Sequence, residues 1–339
     1  MSNHFTGLIP ESLLAAIKRG ECTLFLGAGV HAPPSSSADK AAYPYPDDHR
    51  PPLGDSFSCQ LADQCISELD TRSRGDRPDP NLADAQRAEI ECKQREELRE
   101  KKREYLRKHR EELKTTSWFY EMVPIGDGQD EQPHGRGELV GKIKAAVETG
   151  KQPSPLVRAL AEIDFRVIIT TNYDQLFEKA LSPKKPVVRI YDPRGKEPTE
   201  DFPGDPTSSK EPWFFKMHGC ISEPESIVIT DEDYVRWVMR IGDREDFRPV
   251  PQKVRTYFKE KPTLFVGYSL LDYNLRLLFR TLRRNLGKLD LPPTFSLDPR
   301  PDLLVLKTYT RENVSFIEQD SWRFVPELYQ NLFGRGMPK

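Results

Sequence analysis

The sequence predicts an α/β fold, a Rossmann-like parallel sheet covered by helices on both faces. Three observations lead there. Four short apolar runs rich in β-branched or aromatic residues recur along the chain, stretches of helical period lie between them, and each run breaks off into a cluster of small and polar residues. Strands covered on both faces read as continuous apolar runs, because neither face meets water.

The four runs are "CTLFLGAG", "RVIITTNYD", "WFFKMHGC" and "TLFVGYSLLD". The helical patterns are "ESLLAAIKR", "FSCQLADQCISEL", "GELVGKIKAAVE", "SPLVRALAEI", "DQLFEKAL" and "LDYNLRLLFRTLRRNL", with "DLLVLK" and "VSFIE" read as further strands. Residues 31–56 and 192–212 are rich in Pro, Gly, Ser and Asp and read as loops, the first a candidate lid. From Asp84 to Lys114, 20 of 31 residues are charged, 11 basic and 9 acidic. Pairs such as Glu89 with Lys93, Glu97 with Lys101 and Glu104 with Lys108 predict an exposed helical insertion, 84–114, with a thin apolar seam of Leu98, Tyr105, Leu106 and Leu113.

Composition removes several classes of function. A net charge of -2 from 51 basic and 53 acidic residues gives no global reason to expect a nucleic-acid partner. No apolar run approaches the ~20 residues of a membrane span, and "MSNHFTG" has no basic-then-apolar leader, so the chain is read as cytoplasmic. Five irregularly spaced cysteines, Cys22, Cys59, Cys65, Cys92 and Cys220, indicate neither a disulfide framework nor a metal knuckle.

In a parallel sheet, ligands collect beyond the carboxyl ends of the strands, where all four polar clusters are expected. Gly27-Ala28-Gly29 would let backbone approach a pyrophosphate, although Ala32 stands where a third glycine would complete G-x-G-x-x-G and Pro33-Pro34 oppose an immediate helix. Without a ligand, the same residues make an ordinary tight turn. Asn172 and Asp174 after "RVII" could hold ribose hydroxyls or a water, or Asp174 could simply cap "QLFEKAL". His218, followed by Gly219, is a candidate base or a structural histidine. Gly267 and Ser269 add a second small-residue turn.

Together these residues resemble the sirtuin-like, or silent-information-regulator-like, NAD-binding domains, in the family's chain order and from about Leu24 to Ile317. The resemblance implies one domain over 1–339, NAD binding by Gly27, Ala28, Gly29, Thr171, Gly267 and Ser269, and catalysis by Asn172, His218 and Asp174. The chain departs from protein-deacylating members: after Asp174 it has only Cys220, so the four-cysteine zinc module is missing and no metal is expected. Val30-His31 replaces the usual serine, and the family's Asp-Phe-Arg has no counterpart in "YPYPDDHRPPLGDSF" beyond Asp55. "VITDEDYVRWV" and "FVGYSLLDYNLRLLF" resemble the prokaryotic anti-phage defence branch, whose members typically hydrolyse NAD.

That branch implies NAD as substrate, a homo-oligomer and a partner such as a HerA-type ring ATPase. Two other functions remain open, an NAD-dependent protein deacylase and a non-catalytic NAD or ADP-ribose sensor. The chemistry fits the residues independently of the label. Cleaving the nicotinamide bond develops oxocarbenium character while a neutral molecule leaves, so no strong acid is required. Fixed ribose geometry, a positioned water and a proton acceptor of near-neutral pKa suffice, and Asn172 and His218 suit those roles.

Overall fold

The computed structural model describes residues 4–5, 9–73, 85–126, 132–191, 199–208, 210–242, 250–270, 291–309 and 312–338. The chain divides into two compact units. One comprises Met1–Pro51, Val147–Val228 and Tyr234–Lys339, the other Pro52–Ala146 with Ile229–Asp233.

The first unit is built on an eight-stranded sheet. Its strands are β1 (His4–Phe5), β2 (Thr23–Leu26), β3 (Val167–Thr170), β4 (Val187–Ile190), β5 (Trp213–Lys216), β6 (Thr263–Val266), β7 (Thr294–Leu297) and β8 (Val314–Ile317). Their order is β1-β8-β7-β6-β2-β3-β5-β4, and every pairing is parallel. From β2 the chain builds one side of the sheet, then returns to build the other from β6 outward. The order therefore reverses beside β2, the place where α/β sheets admit ligands beyond their carboxyl ends.

Both faces of this sheet are covered, and the period-2 alternation of each strand sorts its residues between two cores. Leu24, Leu26, Ile168, Phe214, Leu264 and Val266 pack with helices Glu11–Lys18, Pro155–Glu162 and Ser321–Phe333. Phe25, Ile169, Phe215, Phe265 and Phe316 face the other way, toward helices Asp231–Gly242, Gln252–Glu260 and Leu303–Tyr309. Local chemistry fixes the helix ends. Ser154 Oγ accepts the Val157 amide with Pro155 in the first turn, and Asp320 accepts the Trp322 amide at the start of the helix that stops at left-handed Gly334.

One expected strand is a helix. All of "DLLVLK" after its first residue falls within helix Leu303–Tyr309, and that first residue, Asp302, accepts the amides of Leu304 and Val305 at Oδ1 and so starts the helix between parallel β7 and β8. A parallel pair needs such a crossover. The "LDYNLRLLFRTLRRNL" pattern lies outside the described residues. Within 31–56, expected to be loop, the chain forms a short helix, Ser37–Ala42, capped by Ser36, a tight turn at Asp47–His49, and the start of helix Gly54–Ser73. Of 192–212, residues 199–208 and 210–212 are described and contain no strand or helix.

The second unit contains helices Gly54–Ser73, Ala85–Lys108, Leu113–Met122 and nearly all of Gly135–Val147. Leu61, Cys65, Leu69, Leu106, Phe119, Tyr120, Leu139 and Ile143 are buried in it. The charged stretch forms the long helix Ala85–Lys108. Glu89 pairs with Lys93 at 3.2 Å, while buried Arg103 reaches Asp70, Glu96 and Glu100, each at 2.9 Å. Leu106 is buried but Leu98 is exposed, so charge as well as apolar contact seats the helix.

Candidate active site

Register brings the four polar clusters together. Val266, Leu26, Thr170 and Lys216 are aligned across the adjacent strands β6, β2, β3 and β5. The ladder extends one residue further, with Gly27 donating to Val266 O (3.0 Å), Thr171 to Leu26 O (3.3 Å) and Met217 to Thr170 O (2.8 Å). Two residues past each of the last three strand ends stand Ala28, Asn172 and His218.

The glycines have a reason that needs no ligand. Gly27 and Gly29 pack against the turn after β6, and the Gly29 amide donates to Gly267 O at 2.8 Å. A Cβ on Gly27 would lie 2.4 Å from Gly267 O, and one on Gly267, whose φ is +67°, would lie 2.0 Å from the Val30 amide nitrogen. The two turns thus meet backbone to backbone where the strand order reverses. Ala28 is exposed at the head of the tight turn Ala28–His31, and Ser269 is exposed beyond Gly267.

On β3, Thr170 Oγ1 bonds Leu26 O and accepts the Asn172 amide. The Asn172 side chain is half-buried, and its Nδ2 donates to Gly27 O at 3.2 Å, which fixes the orientation of the amide. Its Oδ1 has no protein partner among the described residues. Asp174 turns the other way. Its Oδ1 accepts the Leu176 amide at 2.9 Å and starts helix Leu176–Leu181, and its Oδ2 lies 3.1 Å from His31 Nε2.

His31 is a residue that sequence reasoning missed. It and Asp174 are 4% and 6% exposed, and below them Lys216, fully buried at the end of β5, donates to Asp174 O and pairs with Glu178 at 2.6 Å. Burial alone would raise the Asp174 carboxyl, but His31 and Lys216 hold it down to about 2. Burial likewise opposes the Lys216 ammonium, yet Glu178 and Asp174 keep its pKa above the ordinary lysine value. A buried ionic cluster therefore ties the turn after β2 to the ends of β3 and β5. The signal in the sequence is only a histidine beside the glycine turn and a lysine closing an otherwise apolar strand.

His218 is also buried. Its carbonyl accepts the Val228 amide at 3.0 Å, and Gly219 at φ +85° passes so close to Ser226 that a Cβ would stand 2.1 Å from Ser226 O. Ser226 Oγ in turn accepts the Cys220 amide at 2.9 Å, which closes the loop after the histidine. Tyr234 and Trp237, three apart on helix Asp231–Gly242, present their rings edge-on to the imidazole at 5.0 and 5.4 Å. The Tyr234 hydroxyl lies 3.3 Å from His218 Nδ1. The structure thus places Asn172 and His218 each two residues past register-matched strand ends, and pairs Asp174 with His31. Among the described residues, no three of His, Cys, Asp and Glu gather as metal ligands.

Fold and strand-end chemistry define a Rossmann-like α/β protein with its polar site at the sheet's reversal point. Residues 166–323 match the family model of the SIR2-like domain. The chain is 22% identical over 231 residues to "NAD(+) hydrolase ThsA" of Acinetobacter baumannii, covering 63% of this chain and 45% of that protein. Over 173 residues it is 26% identical to "NAD(+) hydrolase ThsA" of Enterococcus faecium, covering 49% and 32%. Over 154 residues it is 23% identical to "Defense-associated sirtuin 2" of Bacillus subtilis, covering 44% and 14%. The chain spans less than half the length of each of these relatives.

Proposed function

We propose that this chain hydrolyses NAD to nicotinamide and ADP-ribose. The observation that carries the reading is the register-matched placement of Asn172 and His218 beside the two interlocked glycine turns, at the reversal point of the sheet. The names of the similar proteins support it. NAD would lie across the strand ends, with Gly27, Ala28, Gly29, Thr171, Gly267 and Ser269 lining the dinucleotide and Asn172 Oδ1 accepting a hydrogen bond from the ribose or from the attacking water.

In the reaction the bond between ribose C1′ and the nicotinamide nitrogen breaks, and its electron pair neutralises the pyridinium. Water oxygen bonds to C1′, and one water proton passes to His218 and then to solvent. Asp174 acts at one remove, holding His31 and the glycine turn in place. Without the four-cysteine module that borders an acyl-lysine groove, hydrolysis is favoured over deacylation.

In this reading the protein is a cytoplasmic effector of a prokaryotic anti-phage system that depletes NAD. It works as a homo-oligomer, held back until assembly or a partner such as a HerA-type ring ATPase releases it, because uncontrolled hydrolysis would drain the host's own cofactor. Among the described residues no helix is long and apolar enough to cross a membrane. The test is incubation with NAD alone, followed by quantification of products. Equimolar nicotinamide and ADP-ribose are expected, whereas nicotinamide release that requires an acyl-lysine peptide would establish a deacylase.

A further inference from the structure

A buried arginine lies beside the glycine turn, outside the set of strand-end residues described above. Arg50 is 9% exposed, and its guanidinium is held by groups from three separate stretches of chain. Nη1 donates to the carbonyls of His31 and Ala32 at 3.5 and 3.4 Å, and Nη2 donates to Tyr45 O at 3.5 Å. The cation also lies over the Tyr45 ring at 4.5 Å and the Trp322 ring at 5.5 Å. Trp322, buried in the first turn of helix Ser321–Phe333, donates its Nε1 proton at 2.8 Å to Ala32 O, a carbonyl that Arg50 also reaches. The Tyr45 hydroxyl contacts the carbonyls of His49 and Gln152, which steadies the ring under the guanidinium. Asp47, the carboxylate that Arg50 meets through Nε at 3.2 Å, is itself 91% exposed.

Every donor in this cluster is fixed by chemistry. A guanidinium and an indole N–H only donate, and the guanidinium keeps its charge throughout the pH range of a folded protein. An exposed ion pair contributes little, so the carbonyls and the two ring faces, rather than Asp47, hold the cation in place. On the other side of the same turn, the Val30 and Ala32 amides close onto Gly27 O and Gly29 O, each at 3.1 Å. We propose that Arg50 is a positioning residue: caged by Tyr45 and Trp322, it grips the glycine turn by the carbonyls of His31 and Ala32 and holds it in the shape that receives the dinucleotide. This rests on the NAD-hydrolase reading above, in which Gly27, Ala28 and Gly29 line the dinucleotide. The same cage anchors the Tyr45–Arg50 end of the segment that the sequence suggests as a lid. A lysine would keep the charge but lose both the planar fork and the stacking, so the grip is specific to arginine.

The test compares wild type with Arg50→Lys and Tyr45→Leu by two readouts. The first is hydrogen exchange in the ligand-free protein, read by mass spectrometry at single-amide resolution. In Arg50→Lys the Val30 and Ala32 amides are expected to exchange about tenfold faster or more, while the amides of β2 keep their wild-type rates. The second is NAD cleavage, where KM is expected to rise about tenfold with kcat within about twofold of wild type. Tyr45→Leu removes one face of the cage at a half-buried position, is expected to shift both readouts the same way by a smaller factor, and decides the matter if Arg50→Lys fails to fold. Wild-type exchange at Val30 and Ala32 in the variants overturns the proposal, as does equal acceleration in β2, which would mark general loosening of the fold. A wild-type KM in Arg50→Lys would show that charge alone matters, and a fall in kcat at constant KM would place the effect on the reaction rather than on the turn; either overturns it. Exchange is read without substrate, so a protein that never cleaves NAD would refute the hydrolase reading separately.

Discussion

Asp174 is a strand-end carboxylate committed to contacts within the fold. Both of its oxygens are occupied, one by the Leu176 amide and the other by His31, and its carbonyl receives Lys216. Its carboxyl is held down to about 2, against 3.8 for an ordinary aspartate. A depressed acid stabilises the fold above its unfolded-state value and loses that contribution as pH falls through the folded one. Asp174→Asn should therefore cost on the order of 2 kcal/mol at neutral pH and flatten the loss of stability between about pH 4 and pH 2. Urea unfolding across that range checks it, and identical acid slopes for wild type and variant would show that the pair with His31 contributes nothing. Lys216 belongs to the same cluster, and a lysine with no exposed surface ending the strand "WFFK" marks a site held rigid by ionic contacts.

At the scale of elements, the glycine turns after β2 and β6 form one interlocked unit. Gly267 and Gly334 have nearly the same φ, +67° and +68°, but a Cβ on Gly267 meets Val30 and Gly29 backbone, whereas one on Gly334 meets nothing within 4 Å. Gly334→Ala should cost about 1 kcal/mol from backbone strain alone, and Gly267→Ala ~3 kcal/mol or more because main chain must move as well. Thermal unfolding of the two variants compares them directly, and equal losses would contradict the interlock. The strands that carry the site were legible because each is a continuous apolar run ending in small or polar residues. The strand β7, "TFSL", was not, since its buried Thr294 and Ser296 read as polar. "DLLVLK" misled because a short apolar run has no distinguishing period, and only the capping bonds of Asp302 decide for a helix. Asn172 and His218 could be singled out as strand-end polar groups. The pairing of His31 with Asp174 could not, because 143 positions separate them and only the in-register ends of β2 and β3 bring them together.

For the whole molecule, regulation by assembly predicts scattering above the monomer value at micromolar concentration and activity per chain that falls on dilution. A monomer with constant specific activity would rule that out. Among the described residues no metal-ligand set is gathered, which predicts that chelators change neither stability nor turnover, and one stoichiometric zinc per chain by elemental analysis would contradict it. The proposed hydrolytic site lies at the aligned ends of β3 and β5. It is tested most directly by following nicotinamide release from NAD by wild type, Asn172→Ala and His218→Ala, each verified as folded. Release by the wild type and a loss of about 10²-fold or more in each variant are expected. Wild-type turnover in either folded variant, or no release by the wild type at any protein concentration across its assembly range, would contradict it.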